Sequence, residues 1–307
     1  MHQPVLLREV VELMAVRDGG VYVDGTLGAG GHTEAILRAA GEKGRVLALD
    51  RDAVSLARTQ SRLSHLSGHL TCEHGNFADM MTFAQTHSFV PADGVLMDLG
   101  FSSDQMDDAS RGFSFMQDGP LDMRLDRSRG PSAADLVNTL GETELADVIW
   151  KYGEDKDARR IARSIVEARG RQAIRTTGEL ADVVAGAKRG PRGRINPATQ
   201  TFQALRIEVN RELEALEKGL DAALRIVGPK GRVAVISFHS LEDRMVKQFF
   251  AAHAGRWESL EAGGERWVGE EPKVRLVTKK PVMATDEEVK TNPRARSAKL
   301  RVAERIS

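Results

Sequence analysis

The sequence predicts an α/β protein: a doubly wound, mostly parallel sheet of seven strands, interrupted by an all-helical insertion. Three observations carry this. Over the first hundred residues, short β-branched and apolar runs alternate with helix-compatible segments, as in successive βα units. The first run passes directly into a glycine-rich turn, VYVDGTLGAGGH at Val21 to His32. Two later runs end, like the first, in aspartate: LALD at Asp50 and VLMD at Asp98. Three carboxylates thereby arrive at one edge of a parallel sheet, the edge where such sheets bind ligands.

At 307 residues the chain suffices for one large domain or two ordinary ones. Hydrophobic residues at 41% and charged residues at 29% describe a soluble globular protein. Forty-four basic residues offset forty-four acidic ones, so any nucleic-acid surface has to be local. There is no apolar run long enough to span a bilayer, and the opening MHQPVLLREV lacks a signal-peptide layout. The single Cys72 rules out an internal disulfide and a Cys-based zinc site, which suits a cytoplasmic location. No ligand cluster calls for a metal.

Taken in order, Pro4 to Met14 spaces Val5, Leu6, Val10, Val11, Leu13 and Met14 as a short amphipathic helix covering a sheet edge. Val21 and Val23 are strand formers, and Asp24 stands where the strand leaves the sheet. Gly25, Gly28, Gly30 and Gly31 fill four of the next seven positions. That density calls for left-handed backbone or for a ligand that approaches the backbone closely. A helix over Thr33 to Arg38 follows, its N-terminus offering N–H groups to an anionic or hydroxylated ligand. Arg45 to Asp50 is the second strand, Ala53 to Leu63 a helix, and Leu70 to His74 the third strand, ending at Gly75-Asn76-Phe77. Asp93 to Gly100 is the fourth.

Asp50 follows Gly28 by 22 residues, the position at which a doubly wound fold hydrogen-bonds ribose hydroxyls. A glycine turn with no ligand is the plainer alternative. The dinucleotide fingerprint G-x-G-x-x-G fits Gly28 and Gly30 but finds Thr33 in its third place, and no phosphate-binding G-x-x-x-x-G-K-[ST] occurs. An acidic residue ahead of a Gly-x-Gly turn is instead the usual first motif of enzymes that use S-adenosyl-L-methionine, a cofactor with a ribose and an amino-acid tail but no phosphate. Phe77 reads either as a face for the adenine or as core. Asp98 reads either as a helix N-cap or as an acceptor facing the transferred methyl.

Between Met106 and Ala198 the α/β alternation stops. An Arg-, Asp- and Gly-rich segment from Asp107 to Gly130 leads to an N-capped start at Ser132 and Asp135. Helices follow over Ala133 to Leu140, Glu144 to Tyr152 and Lys156 to Arg169, each closed by glycine at Gly141, Gly153 or Gly170. The third buries Ile161, Ile165 and Val166 and exposes Arg159, Arg160 and Arg163. Thr176 and Glu179 cap a fourth, ahead of the basic loop Lys188, Arg189, Arg192 and Arg194. Such a row and loop are either solvated surface or a track for phosphates, and their meeting in one insertion puts the track on a par with the surface reading.

Pro197 opens a long helix in which Phe202, Leu205, Val209, Leu213, Leu216, Leu220 and Leu224 recur at core-facing spacing, ending at Gly228-Pro229. Gly231 to Phe238 returns the chain to the sheet, and Ser240 heads a helix. Val274 to Val277 and Ala298 to Val302 are the last two strands, with a loop at Asn292-Pro293 between them. The expected division is therefore 1–105 with 199–307 as the catalytic domain and 106–198 as a helical insertion that recognises substrate.

Six blocks, in order, resemble the bacterial 16S ribosomal RNA (cytosine-N4) methyltransferases: HQPVLLREVV, VDGTLGAGGHT, DLGFSSDQMDDASRGFSF, NPATQTFQALRIEVN, VISFHSLEDR and NPRARSAKLR. The likeness covers nearly the whole chain. It implies a class I, Rossmann-like methyltransferase core acting on a cytosine in the decoding region of 16S rRNA, within the small ribosomal subunit. It also implies cofactor contacts from Gly30, Gly31, His32, Asp50, Phe77, Asp98 and Gln105, to which the turn itself adds Asp24 and Gly28. Many amino-methyltransferases carry a Pro-Pro-aromatic motif after strand four; here Asp98-Leu99-Gly100-Phe101 has no proline pair. Asp98, Phe101 and His239 are the candidates for the chemistry: an acceptor for the amine, a ring to stack on the base, and a second residue lining the target pocket. A methyltransferase of a protein or small molecule, or a dinucleotide-binding protein, remains the alternative, and a homodimer is left open.

Overall fold

In the computed structural model the described residues are 4–66, 68–188, 196–259, 265–268 and 271–307. The chain runs α1 (Leu7–Leu13), β1 (Val21–Asp24), α2 (Gly31–Ala40), β2 (Arg45–Asp50), α3 (Ala53–Arg62), β3 (Leu70–His74), α4 (Met80–Thr86) and β4 (Ala92–Asp98). It continues through α5 (Ser103–Asp107), α6 (Ala133–Thr139), α7 (Glu142–Gly153), α8 (Ala158–Arg171), α9 (Thr177–Ala187), α10 (Thr199–Asn210) and α11 (Glu212–Ile226). The remainder is β5 (Val227–Ser237), α12 (Ser240–Ala254), β6 (Arg256–Ser259), β7 (Glu265–Val268), β8 (Val274–Leu276), β9 (Val282–Met283), α13 (Asp286–Thr291) and β10 (Lys299–Arg305). These elements form two compact units, Met1–Gly100 with Glu214–Ser307, and Phe101–Leu213.

The first unit is built on a sheet in the order β3-β2-β1-β4-β5-β10-β8. β3 through β5 are parallel and β10 runs antiparallel to β5. Among the described residues the expected seven strands become eight, because the two-residue β9 also pairs with β10. A pair that short has no periodicity to betray it. β6 and β7 form a separate antiparallel ribbon that the sequence reading also missed. Strand residues alternate between two cores: Val23, Leu47, Met97 and Val235 lie in one, with Leu216 and Leu220 of α11 and Val246 of α12. Tyr22, Val46, Leu96 and Ile236 lie in the other, with Val10 of α1, Ile36 of α2 and Leu56 of α3. Both faces are thus covered by helices, which is what a parallel sheet requires. Strand order reverses between β1 and β4, and the ends of β1, β2 and β4 place Asp24, Asp50 and Asp98 at the carboxyl edge beside that point.

The second unit has its own core, formed by Val137, Leu145, Ile149, Ile161, Ile165, Leu180, Val184, Phe202 and Leu205, among others. Its helix starts are capped as the sequence indicates, with reciprocal bonds between Ser132 and Asp135 and between Thr176 and Glu179. The glycine stops differ. Gly141 caps the start of α7, and Gly170 lies inside α8. Gly153 is the last residue of α7, where a Cβ would sit 2.7 Å from the Gln200 carbonyl oxygen. The single long helix is two: α10 ends at Arg211, which adopts φ 50. Its apolar stripe is accordingly shared, Phe202 and Leu205 going to the core of the second unit and Leu216 and Leu220 to that of the first. This moves the division from the expected 105 and 199 to Gly100 and Leu213, because α10 packs with the insertion. Asn210 fixes that attachment: its amide donates to the carbonyl of Met123 at 2.7 Å and accepts from the N–H of Leu125 at 2.8 Å.

Candidate cofactor and active site

The glycine turn is braced from beneath. Asp24, 1% exposed, accepts from the Thr33 hydroxyl at 2.6 Å and from the Thr26 N–H at 3.0 Å, which ties the end of β1 to the first turn of α2. Burial raises its pKa above the usual carboxylate range, and these bonds oppose the shift. Gly28 adopts φ 49; its N–H donates to Asp50 Oδ2 at 2.8 Å and its carbonyl accepts from the Thr59 hydroxyl at 2.6 Å. Gly30, at φ 77, has no room for a side chain, since a Cβ would lie 2.6 Å from Thr59 Cγ2. Gly31 is equally confined by Pro4, at 2.2 Å. Two of the glycines therefore serve close packing. The glycine N-cap also lays no side chain over the first turn of α2.

Asp50 holds the turn and still has capacity. Its oxygens accept from the N–H groups of Gly28 and Asp52, both at 2.8 Å. A carboxylate offers about four lone-pair sites, so two remain for a diol. Burial pushes Asp50 up to about 6, with the two N–H donors opposing the rise.

Asp98 sits differently. Its N–H donates to the Thr26 hydroxyl at 2.7 Å, which couples β4 to the turn. Its Oδ1 is buried and accepts no hydrogen bond among the described residues. Its Oδ2 lies 3.6 Å from His32 Nε2. Burial first, then the charges of Asp24 and Glu242, push the carboxyl up to about 8. It is not an N-cap; Ser102 caps the next helix.

Other expected residues also make structural contacts. Phe77 packs in the core against Gly219, where a Cβ would meet its ring at 2.5 Å. His239 is the N-cap of α12: Nδ1 accepts from the Glu242 N–H at 3.4 Å, and Nε2 lies 3.2 Å from Glu242 Oε1. The strand-to-helix junction needs a cap, and the imidazole supplies it. Within the second unit, Phe101 stacks on Phe113 at 5.1 Å, and the Arg206 guanidinium lies 4.9 Å from its centroid. Its ring is thus part of an internal stack. Gln105 accepts from the Ser102 N–H at 2.8 Å, in a capping box. Arg160 pairs with Asp157 and Arg163 with Glu142, whereas Lys188 is held by Asp155 at 2.7 Å and so leaves the proposed basic loop. Arg159 is exposed. Arg189, Arg192 and Arg194 lie outside the described residues. The sequence reading missed Thr26, Thr33 and Thr59; hydroxyls flanking the glycines were the available signal.

A doubly wound sheet with this strand order, a glycine turn after β1, an aspartate bonded to that turn after β2 and an aspartate after β4 defines, with the family match, a class I methyltransferase that uses S-adenosyl-L-methionine. Its residues fit that cofactor: Asp50 retains lone pairs for the ribose, and Asp98 keeps an unsatisfied oxygen. The chain belongs to the MraW methylase family, whose model matches residues 1–306. It is 50% identical over 306 residues to the ribosomal RNA small subunit methyltransferase H of Thermomicrobium roseum, covering 100% of this chain and 94% of that protein. It is also 50% identical over 307 residues to the protein of the same name in Geobacter sp. strain M21, covering 99% and 98%. Among the described residues no helix is long and apolar enough to cross a membrane.

The ribose assignment has a direct check. Asp50→Ala is expected to weaken S-adenosylmethionine binding by about ten- to a hundredfold, the worth of a charge-assisted hydrogen bond, while the fold survives. Titration calorimetry reads the affinity, and an unchanged value would remove Asp50 from the site.

Proposed function

We propose that this protein transfers a methyl group from S-adenosylmethionine to the exocyclic N4 amine of a cytosine in the decoding region of 16S rRNA, within the small ribosomal subunit. The relatives' names support ribosomal RNA as the substrate, and the resemblance in the sequence supports the N4 position. The observation that carries the chemistry is Asp98, a carboxyl at the strand-order reversal with one buried oxygen that lacks a donor.

The cytosine amine delocalises its lone pair into the ring and is a poor nucleophile until an acceptor takes its hydrogen bonds. Asp98 supplies that acceptor, and Asp24 and Thr26 hold the end of β4 and the turn in register around it. Bound S-adenosylmethionine supplies an electrophilic methyl group on a sulfonium. The base has to leave its stack to reach such an edge. Methyl transfer from labelled cofactor to isolated small-subunit particles, followed by mapping of the modified base, tests this reading; a labelled protein or small molecule in place of RNA would replace it.

Backbone recognition is assigned to the second unit, on the exposed Arg159 and the Arg189, Arg192 and Arg194 loop. Changing the three loop arginines to Gln is expected to weaken RNA or particle binding by about tenfold or more. It should also flatten the plot of log affinity against log salt by about 0.7–0.9 per lost contact. Cofactor affinity should stay constant. An unchanged salt slope would move the search to Arg296, since Arg301 and Lys299 are tied to Asp243.

A further inference from the structure

The carboxyl edge of the first unit has two sides. In the order β3-β2-β1-β4-β5-β10-β8, Asp50 ends β2 and Asp98 ends β4, so a ribose on Asp50 puts the nucleoside half of the cofactor on the β1–β2 side of Asp98. In-line transfer requires the acceptor to meet the methyl group on the side away from the sulfur. On the far side of Asp98 lie the end of β5 and the start of β10. Register fixes what stands there: Asp98 pairs with Ile236 of β5, and Ile236 with Leu300 of β10. At about 4.8 Å per strand, Leu300 is about 10 Å from Asp98 across the sheet. Because β10 runs antiparallel to β5, the residues that precede Leu300 continue past the same edge, through Lys299 and the short turn Pro293–Ser297.

The four cations of this stretch are not equivalent. Arg301 and Lys299 bind Asp243 of α12, at 2.7 and 3.4 Å, and so fasten β10 to that helix. Arg294 is half-buried. Arg296 is exposed and pairs with no carboxylate among the described residues. Exposed arginines are common on any surface; this one is singled out by the row of the sheet it stands above. We propose that Arg296 binds a backbone phosphate of the RNA strand that carries the target base, and that Asp243 positions it by holding Lys299 and Arg301. This rests on the ribosomal RNA reading above and adds a contact on the first unit to those assigned to the second. Four residues at about 3.3 Å each separate Arg296 from Leu300, which keeps its Cα within about 17 Å of Asp98, a span of a few nucleotides. The planar guanidinium fork suits phosphate oxygens. Such a contact sets the register of the strand without reading a base, and it is made equally before and during methyl transfer.

Binding of the full chain to isolated small-subunit particles, titrated against salt, tests this. Arg296→Gln should weaken binding by about three- to tenfold and flatten the plot of log affinity against log salt by about 0.7–0.9, the value for one lost phosphate contact. The KM for particles should rise by a similar factor, while kcat at saturating particles and the affinity for S-adenosylmethionine stay at their wild-type values. Arg296→Lys should restore most of the slope, since it keeps the charge. Arg225→Gln removes the same charge from the exposed last turn of α11, which leads into the start of β5 at the opposite edge of the sheet, and should leave the slope unchanged. A wild-type slope and KM in Arg296→Gln, or equal flattening in Arg225→Gln, would overturn the proposal. A wild-type chain that bound no particles would overturn the RNA reading together with it. Binding with an Arg296-dependent slope but no methylated cytosine would uphold this contact and remove the cytosine reading alone.

Discussion

Asp98→Asn is expected to lower turnover at saturating cofactor by about a hundredfold to ten-thousandfold, the range for a lost acid–base group, and yet to stabilise the cofactor-free protein. The rate falls because the amide keeps the shape and one acceptor but presents N–H donors where the substrate amine also donates. Cofactor affinity should fall far less, by about tenfold, since a counter-charge is lost but the ribose and glycine-turn contacts remain. Stability rises for a separate reason. The carboxyl titrates near 8 in the folded protein, against 3.8 ordinarily. Between those values the folded chain binds more protons than the unfolded chain, so stability declines as pH rises through that window and levels above it. The neutral amide removes that slope. Thermal unfolding at about pH 5.5 and 8.5 should show the wild type losing more stability at the alkaline value than the variant, with a gap of a few kcal/mol between them at pH 8.5. A variant whose cofactor affinity fell as far as its rate would make Asp98 a cofactor ligand only.

Gly30→Ala should be the most damaging single methyl added to the turn. The position holds φ 77, which costs an L-residue about 1–2 kcal/mol. The new Cβ would also lie 2.6 Å from Thr59 Cγ2 and 2.9 Å from Leu63 Cδ1. Overpacking of that kind adds about 1–3 kcal/mol. Displacing Thr59 loosens the hydroxyl that holds the Gly28 carbonyl, and with it the N–H that Asp50 accepts. Cofactor affinity should therefore drop by about tenfold along with stability. Gly28→Ala is the control: its φ of 49 is also left-handed, but a Cβ there finds its nearest neighbour at 3.9 Å. It should carry the backbone cost alone. Equal unfolding midpoints for the two variants would show that the turn yields without strain and that the packing argument is wrong.

Much of the first unit was legible because its signals are local. β2 and β3 were bounded correctly from short apolar runs, and the aspartates at the ends of β1, β2 and β4 followed from where those runs stop. Capping boxes at Ser132 and Thr176 could be read because both partners lie within four residues of each other. The ribbon β6–β7, the short β9 and helix α13 were not legible, since none carries a continuous β-branched or apolar run of the kind that marks β2 and β3.

What the sequence by itself determined was the doubly wound sheet, the glycine turn and the carboxylates at its edge, because strand periodicity and turn chemistry are written in neighbouring residues. The tertiary structure decided which side chains are available for chemistry. Phe77 meets Gly219, Phe101 meets Phe113 and Arg206, and Lys188 meets Asp155. Partners so far apart in the chain leave no mark on local pattern. It decided likewise that a continuous apolar stripe from Phe202 to Leu224 serves two cores, through a single left-handed residue at Arg211. Asp98 shows the division within one residue: its position at the end of β4 follows from sequence, whereas its raised pKa follows from burial and from the charges of Asp24 and Glu242, which only folding brings to it.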